Sequence, residues 1–207
     1  MEKFTVECQY AHRNPDIVYF RNILSKSECD YLIEKFSPHL RRSVTFTGDS
    51  DPRRTSWSAY TNISPNDPVV EKIAQRCSIL CGYPVSHVEP PQLVRYMPGE
   101  RYVDHCDNYH TNQKSFELSG QRDYTFFIYL NEAACRDQTG GETFFSGIDS
   151  DGLAVKPERG MAVFWRNINV PDRSDAKTND ILHQGRAPVG WTKYGLNVWM
   201  RTKPWKG

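Results

Sequence analysis

Between residues 92 and 201 the apolar residues fall into eight short runs, at 92–97, 101–106, 124–130, 142–145, 153–156, 162–165, 181–185 and 194–201. Such runs are strand-length, and Gly, Pro, Asn and Asp separate them: Pro98-Gly99, Gly140-Gly141, Pro157 with Gly160, Pro188 with Gly190. Many short strands in succession cannot bury their apolar faces singly. They must close on one another as two facing sheets.

The residues before 91 follow a different period. Ser25-Lys26-Ser27-Glu28 is a capping box, with Cys29, Leu32, Ile33 and Phe36 on one helical face behind it and Pro38 closing the segment. Asp67 followed by Pro68 starts a second helix, whose stripe is Val70, Ile73, Ala74, Cys77 and Cys81 and whose stop is Gly82 with Pro84. The polar stretch 41–62, with Gly48-Asp49-Ser50-Asp51-Pro52-Arg53-Arg54, is expected to be a long exposed loop and a mobile lid. The stretch 167–180 is expected at the surface. The fold class is therefore α+β, mainly β: a double-stranded β-helix (jelly roll) with N-terminal helices packed outside. It is read as a single domain over 1–207, helical over about 1–90 and jelly roll over about 91–202.

Composition excludes several functions. Twenty-six Lys and Arg against 25 Asp and Glu give a net charge of +1, so nothing argues for nucleic acid as a partner. The longest apolar run, 126–130, falls far short of the roughly 20 residues a membrane helix needs. The first residues hold no apolar secretion signal, and six thinly spread cysteines read as thiols of a reducing compartment, so a cytoplasmic location is expected. The phosphate-binding G-x-x-x-x-G-K-[ST], G-x-G-x-x-G, H-E-x-x-H and G-x-S-x-G patterns are all missing from the sequence.

His105-Cys106-Asp107 is the first chemical signal. On a strand, residues i and i+2 share a face, so His105 and Asp107 project together while Cys106 turns away. One further imidazole would complete the two-histidine, one-carboxylate set that binds Fe(II) and leaves positions open. H-x-D alone is common by chance. His12, His39, His87 and His110 carry no ligand spacing and are expected to be ordinary surface or loop residues.

The surrounding order is more specific. Tyr96, Gly99, Tyr102, His105 and Asp107 stand as Y-x-x-G-x-x-Y-x-x-H-x-D. Downstream come Arg122-Asp123-Tyr124-Thr125, Tyr129-Leu130-Asn131, Gly140-Gly141-Glu142-Thr143 and Pro157-x-x-Gly160. His183 then precedes Pro188-Val189-Gly190, Lys193, Asn197 and Trp199. Over about residues 20 to 202 this set resembles the prolyl 4-hydroxylase family of iron- and 2-oxoglutarate-dependent dioxygenases, most closely the stand-alone, collagen-type enzymes of viruses, algae and bacteria. The resemblance implies iron ligation by His105, Asp107 and His183. It implies that Lys193 binds the distal carboxylate of 2-oxoglutarate, where relatives acting on the hypoxia-response factor use arginine. Tyr96 and Thr143 match hydroxyl donors near the cosubstrate, and Tyr102 and Arg122 match positions near a peptide; Trp199 is either a barrel-packing ring or a second candidate ring for the peptide.

The same resemblance implies Fe(II), 2-oxoglutarate and O₂, with ascorbate as reductant. The reaction is hydroxylation of peptidyl proline with release of succinate and CO₂. A 2-oxoglutarate oxygenase acting on another amino-acid side chain or a free amino acid is the alternative. The implied partner is a proline-containing peptide or protein, with no nucleic acid and no membrane. The chain itself is expected as a monomer or simple homo-oligomer.

Overall fold

All eight predicted strands are present in the computed structural model, which describes residues 5–44, 52–64, 66–108, 114–168 and 181–206. In chain order the elements begin with strands β1 (Glu7–His12) and β2 (Ile17–Arg21), helix α1 (Lys26–Phe36), strands β3 (Arg41–Arg42) and β4 (Trp57–Tyr60), and helix α2 (Pro68–Cys81). Strands β5 (Gln92–Tyr96) and β6 (Tyr102–His105), helix α3 (Lys114–Ser119), and strands β7 (Arg122–Tyr129), β8 (Thr139–Gly140), β9 (Thr143–Phe145) and β10 (Leu153–Val155) follow. Strands β11 (Ala162–Arg166), β12 (His183–Gly185), β13 (Pro188–Val189) and β14 (Lys193–Arg201) complete the set.

The larger sheet has eight strands in the order β1-β2-β11-β7-β14-β5-β4-β3, and the smaller has four, β10-β9-β12-β6. Strands β8 and β13 form a separate pair. This is the two-sheet roll that the sequence predicts, with helices against one face.

The N-terminal part differs from the expectation of a purely helical segment. Its strands supply both edges of the larger sheet: β1 and β2 extend it beyond β11, and β4 and β3 extend it beyond β5. These strands escape a pattern search for physical reasons. The first four residues of β1 are solvent-exposed, so no apolar alternation marks them. In β4 the alternation is carried by Trp57 and Ala59 inside a Ser-rich stretch. The expected loop over 41–62 is correspondingly shorter, since β3 and β4 occupy its ends; residues 45–51 lie outside those described. The expected surface stretch 167–180 is also corrected where it is described: Asn167 and Ile168 are buried, and 169–180 lie outside the described residues. His110 falls outside them as well.

The two helices form as their caps dictate. Ser25 Oγ accepts from the Glu28 N–H while Glu28 Oε2 accepts from the Ser25 N–H. Asp67 Oδ1 accepts from the N–H groups of Val69 and Val70 at the start of α2, and Gly82 closes that helix at φ +75°. The second Asp67 oxygen accepts from the Tyr31 hydroxyl at 2.7 Å and pairs with Lys35 at 3.1 Å, so one carboxylate caps α2 and ties it to α1.

Strands β7 and β14 are buried on both faces, and their alternate residues serve two cores. Phe126, Ile128, Leu196, Val198 and Met200 pack with Leu32, Phe36 and Ile73 of the helices. Phe127 and Tyr129 pack instead with Val94, Tyr96, Phe145 and Trp165 between the sheets. The inter-sheet space is not filled along its whole length, and the gap is where the polar residues collect.

Loss of the shared cap should be visible in stability alone. Asp67→Ala removes the α2 N-cap, worth about 1 kcal/mol, and strands the Tyr31 hydroxyl. The expected loss is about 2 kcal/mol in urea unfolding, as a lower midpoint with an unchanged slope.

Candidate active site

A cavity of about 380 Å³ opens between the sheets. Its walls are the inward positions of β5, β7 and β14 on one side and of β6, β9 and β12 on the other. At one end His105, Asp107 and His183 converge, one ligand atom from each lying within 4.8 Å of the others. At another wall is Lys193.

The histidines meet because β12 and β6 pair antiparallel with His183 opposite His105. Their rings are 4.3 Å apart between centroids. Each ring is oriented by a backbone carbonyl two residues earlier: His105 Nδ1 is 2.8 Å from Val103 O, and His183 Nδ1 is 2.9 Å from Ile181 O. A carbonyl only accepts, so each Nδ1 carries the proton and each Nε2 turns its lone pair to the centre. Strand β6 ends at His105, and Asp107 lies in the bend that follows. Because strand alternation has stopped, Cys106 also borders the cavity instead of turning away from it. Asp107 Oδ1 is 3.8 Å from His105 Nε2, and Oδ2 is 3.8 Å from His183 Nε2.

The protonation states suit a cation. Burial, with the neighbouring His183 imidazole, pushes His105 down to about 3, so it is neutral at ordinary pH. Burial alone would raise Asp107, but the two imidazoles, Arg122 and the Trp199 N–H outweigh it and hold the carboxyl low, at about 2. Two imidazoles and one carboxylate are the donor set of a non-haem Fe(II) site with open positions. The residues fit that metal.

Lys193 is fully buried, opposite Tyr96 in the β14–β5 pairing. Its Nζ has no hydrogen-bond partner among the described residues. Three rings surround it, Phe127 at 4.8 Å and Tyr96 and Tyr129 each at 5.3 Å. Burial pushes its pKa down to about 7, only partly offset by Glu142. A dry ammonium with no acceptor is a site for a ligand anion, and a carboxylate group fits it. Gly195, two residues on, leaves room for the Phe127 ring, which a Cβ there would strike.

The other predicted residues all border the same cavity. Thr143 Oγ1 lies 2.8 Å from the Tyr129 hydroxyl, which also reaches the Val155 carbonyl at 3.2 Å. Tyr96 is buried and its hydroxyl pKa is pushed up to about 12 by desolvation, so it stays a donor. Tyr102 stacks on His105, with centroids 3.5 Å apart and ring planes 17° apart, and the Arg54 guanidinium lies 4.9 Å from the Tyr102 ring. Arg122 forms a two-point pair with Glu89, at 3.0 and 2.6 Å, and its guanidinium lies 3.5 Å over the Trp199 ring. The Trp199 N–H donates to Asp107 Oδ2 at 3.0 Å.

Glu89, Tyr129, Thr125 and Asn167 are functional-site neighbours that the sequence reading did not single out. Glu89 precedes the first cavity strand in an unpatterned Pro-rich stretch. Thr125 and Tyr129 stand inside quoted motifs, with no signal of which partners they meet. His12, His39 and His87 take no part in the three-residue cluster.

The buried lysine makes a pH prediction for the ligand-free protein. Its folded pKa is depressed from 10.5 to about 7, so between these values the unfolded chain binds more protons. Stability must therefore rise with pH across that window, and the full penalty is present below about 7. Lys193→Met should be more stable than wild type at pH 6, by on the order of 3 kcal/mol, and the gap should close towards pH 10. Urea midpoints of the two proteins at matched pH test this, because other titrations cancel in the difference.

Comparison with known proteins agrees with this geometry. Residues 91–201 match the 2OG-Fe(II) oxygenase superfamily. Probable prolyl 4-hydroxylase 10 of Arabidopsis thaliana is 30% identical over 212 residues, covering 93% of this chain and 71% of the relative. Prolyl 4-hydroxylase 1 of the same plant is 29% identical over 206 residues, covering 92% and 70%. The viral collagen prolyl hydroxylase of Paramecium Bursaria Chlorella virus-1, solved as a 2OG complex, superposes with a TM-score of 0.69 at 23% identity, covering 89% of this chain and 95% of that one. A chain whose two sheets bring paired histidines, a carboxylate and a buried lysine into one cavity, and which matches these relatives over nine-tenths of its length, belongs to the 2OG-Fe(II) oxygenase superfamily and, within it, to the prolyl 4-hydroxylase family.

Proposed function

We propose that this chain is a 2-oxoglutarate-dependent dioxygenase that hydroxylates a peptidyl proline at C4. The carrying observation is one cavity with a metal-ligand cluster at one end and an unpaired, buried ammonium in its wall. That pairing suits a small diacid held by both ends. Bound Fe(II) would supply the oxidising chemistry: one O₂ oxygen enters the C–H bond of proline, and the other leaves in the succinate formed when 2-oxoglutarate loses CO₂.

The chain's own residues bind and orient. His105 and His183 offer Nε2 and Asp107 one carboxylate oxygen. Lys193, charged in the presence of an anion, takes the distal carboxylate, with the Tyr96 and Thr143 hydroxyls as neutral donors beside it. The aromatic walls exclude water around that ion pair and so strengthen it. Tyr102 and Arg122, which border the same space, would meet the peptide. A proline-rich segment in an extended helix exposes its backbone at little ordering cost, which suits a groove rimmed by rings. All these groups come from one chain, which supports reading 1–207 as one domain and the protein as a monomer or simple homo-oligomer. Ascorbate is the proposed reductant that restores iron after uncoupled turnover. No helix among the described residues is long and apolar enough to cross a membrane. The six free thiols favour a reducing, cytoplasmic setting.

The test is anaerobic loading with Fe(II) and 2-oxoglutarate, then O₂ with a panel of proline-containing peptides. A 16 Da gain that depends on both should appear by mass spectrometry. Asp107→Ala should abolish it, and substantial residual turnover would remove Asp107 from the ligand set. Lys193→Ala should raise the 2-oxoglutarate requirement at least about tenfold, since losing a charged hydrogen bond costs about 1.5–3 kcal/mol. An unchanged midpoint would place the distal carboxylate elsewhere.

A further inference from the structure

Asp107 is held by more than the cation it faces. Its Oδ2 accepts two hydrogen bonds, from Thr125 Oγ1 at 2.8 Å and from Trp199 Nε1 at 3.0 Å. Both donors come from the opposite sheet. Thr125 in turn accepts from Asn167 Nδ2 at 2.8 Å, and Asn167 Oδ1 accepts from Trp165 Nε1 at 2.8 Å. Trp165, Asn167, Thr125 and Trp199 are each at most 4% exposed.

The direction of this chain is fixed by chemistry. An indole N–H can only donate, so Trp165 obliges Asn167 to present its oxygen there and its amide N–H₂ to Thr125. Thr125 has one hydroxyl hydrogen. With its oxygen occupied by the Asn167 amide, that hydrogen goes to Asp107. The second indole, on Trp199, points its only hydrogen at the same oxygen. The residues also lie on one row of the larger sheet: Trp165 is the register partner of Thr125 on β11–β7, and Trp199 its partner on β14–β7. Two adjacent strands, β7 and β14, thus aim at a single carboxylate oxygen, and the third, β11, reaches it only through Asn167.

We infer that Thr125 and Trp199 are positioning residues for the metal: they occupy Asp107 Oδ2, leaving Oδ1 as the ligand oxygen, while Trp165 and Asn167 set the direction of the Thr125 hydrogen bond. This gives Trp199 a role through Asp107 in place of the predicted peptide contact. It also gives the buried Asn167 a function. The inference rests on the metal site proposed above.

The test uses Co(II) alone as a spectroscopic probe, titrated anaerobically into the full chain without 2-oxoglutarate. Thr125→Val removes the hydroxyl at constant shape, and Trp199→Phe removes the N–H while keeping a ring beneath Arg122. Each should weaken Co(II) binding about 10- to 100-fold, as loss of a group that orients a ligand does, and should alter the visible cobalt bands. Thr125→Ser keeps the hydroxyl and should stay within about threefold of wild type. Near-ultraviolet circular dichroism of the metal-free proteins establishes which variants fold, and the folded one of the two donor deletions decides the matter. Wild-type cobalt affinity in it would overturn the inference, as would a Thr125→Ser protein as impaired as Thr125→Val, which would mark packing as the cause. If the wild-type chain itself bound no Co(II), the metal site would fall, a result distinct from either of these.

Discussion

The two-residue period of β14 is the constraint from which the site follows. Its even-numbered residues Leu196, Val198 and Met200 are committed to the core beneath the helices. That commitment aims Lys193, Asn197 and Trp199 into the gap between the sheets. A slip of one residue would drive the ammonium into the helical core and open the cavity to leucine and valine. Packing on one face therefore secures chemistry on the other, and the two helices, which pack Leu32, Phe36 and Ile73 against this strand, serve a site that neither of them lines.

Charge in the interior is handled in two ways. Glu89 is shared between Arg122 and Arg201, and Asp123 takes a two-point pair with Arg166 and the Tyr83 hydroxyl. These carboxylates are matched within the fold. Among the described residues Lys193 is left with three rings and no acceptor, and Nε2 of both histidines faces a carboxylate across a gap wide enough for a cation. Buried charges that a fold leaves unmatched are costly, and their concentration in one cavity is what separates a binding site from core.

Much of this was legible in the sequence, and the limits have physical causes. The strands of the roll announce themselves because each is bounded by turn residues and carries apolar positions on at least one face. Helix α1 and helix α2 announce themselves through caps. The edge strand β1 does not, since a strand with solvent on its flank needs no apolar alternation, and β4, paired on both sides, does not because only Trp57 and Ala59 carry its alternation in a Ser-rich stretch. The ligand pattern around His105 and Asp107 is local and readable, whereas Glu89, Thr125 and Asn167 acquire their roles only through cross-strand register. A threonine in a strand looks the same whether it faces a carboxylate or a leucine.

The placement of Lys193 also makes the pocket a ruler with coarse divisions. Positions facing the cavity on β14 recur every second residue, so the nearest alternative seat for a cation lies about 6.6 Å along the strand, at a position that Gly195 keeps empty for Phe127. Adding or removing one carbon in a bound diacid changes its span by far less than that. If Lys193 holds the diacid as proposed, selection by chain length cannot be retuned by sliding the cation along β14 and falls to the length and shape of the side chain at 193.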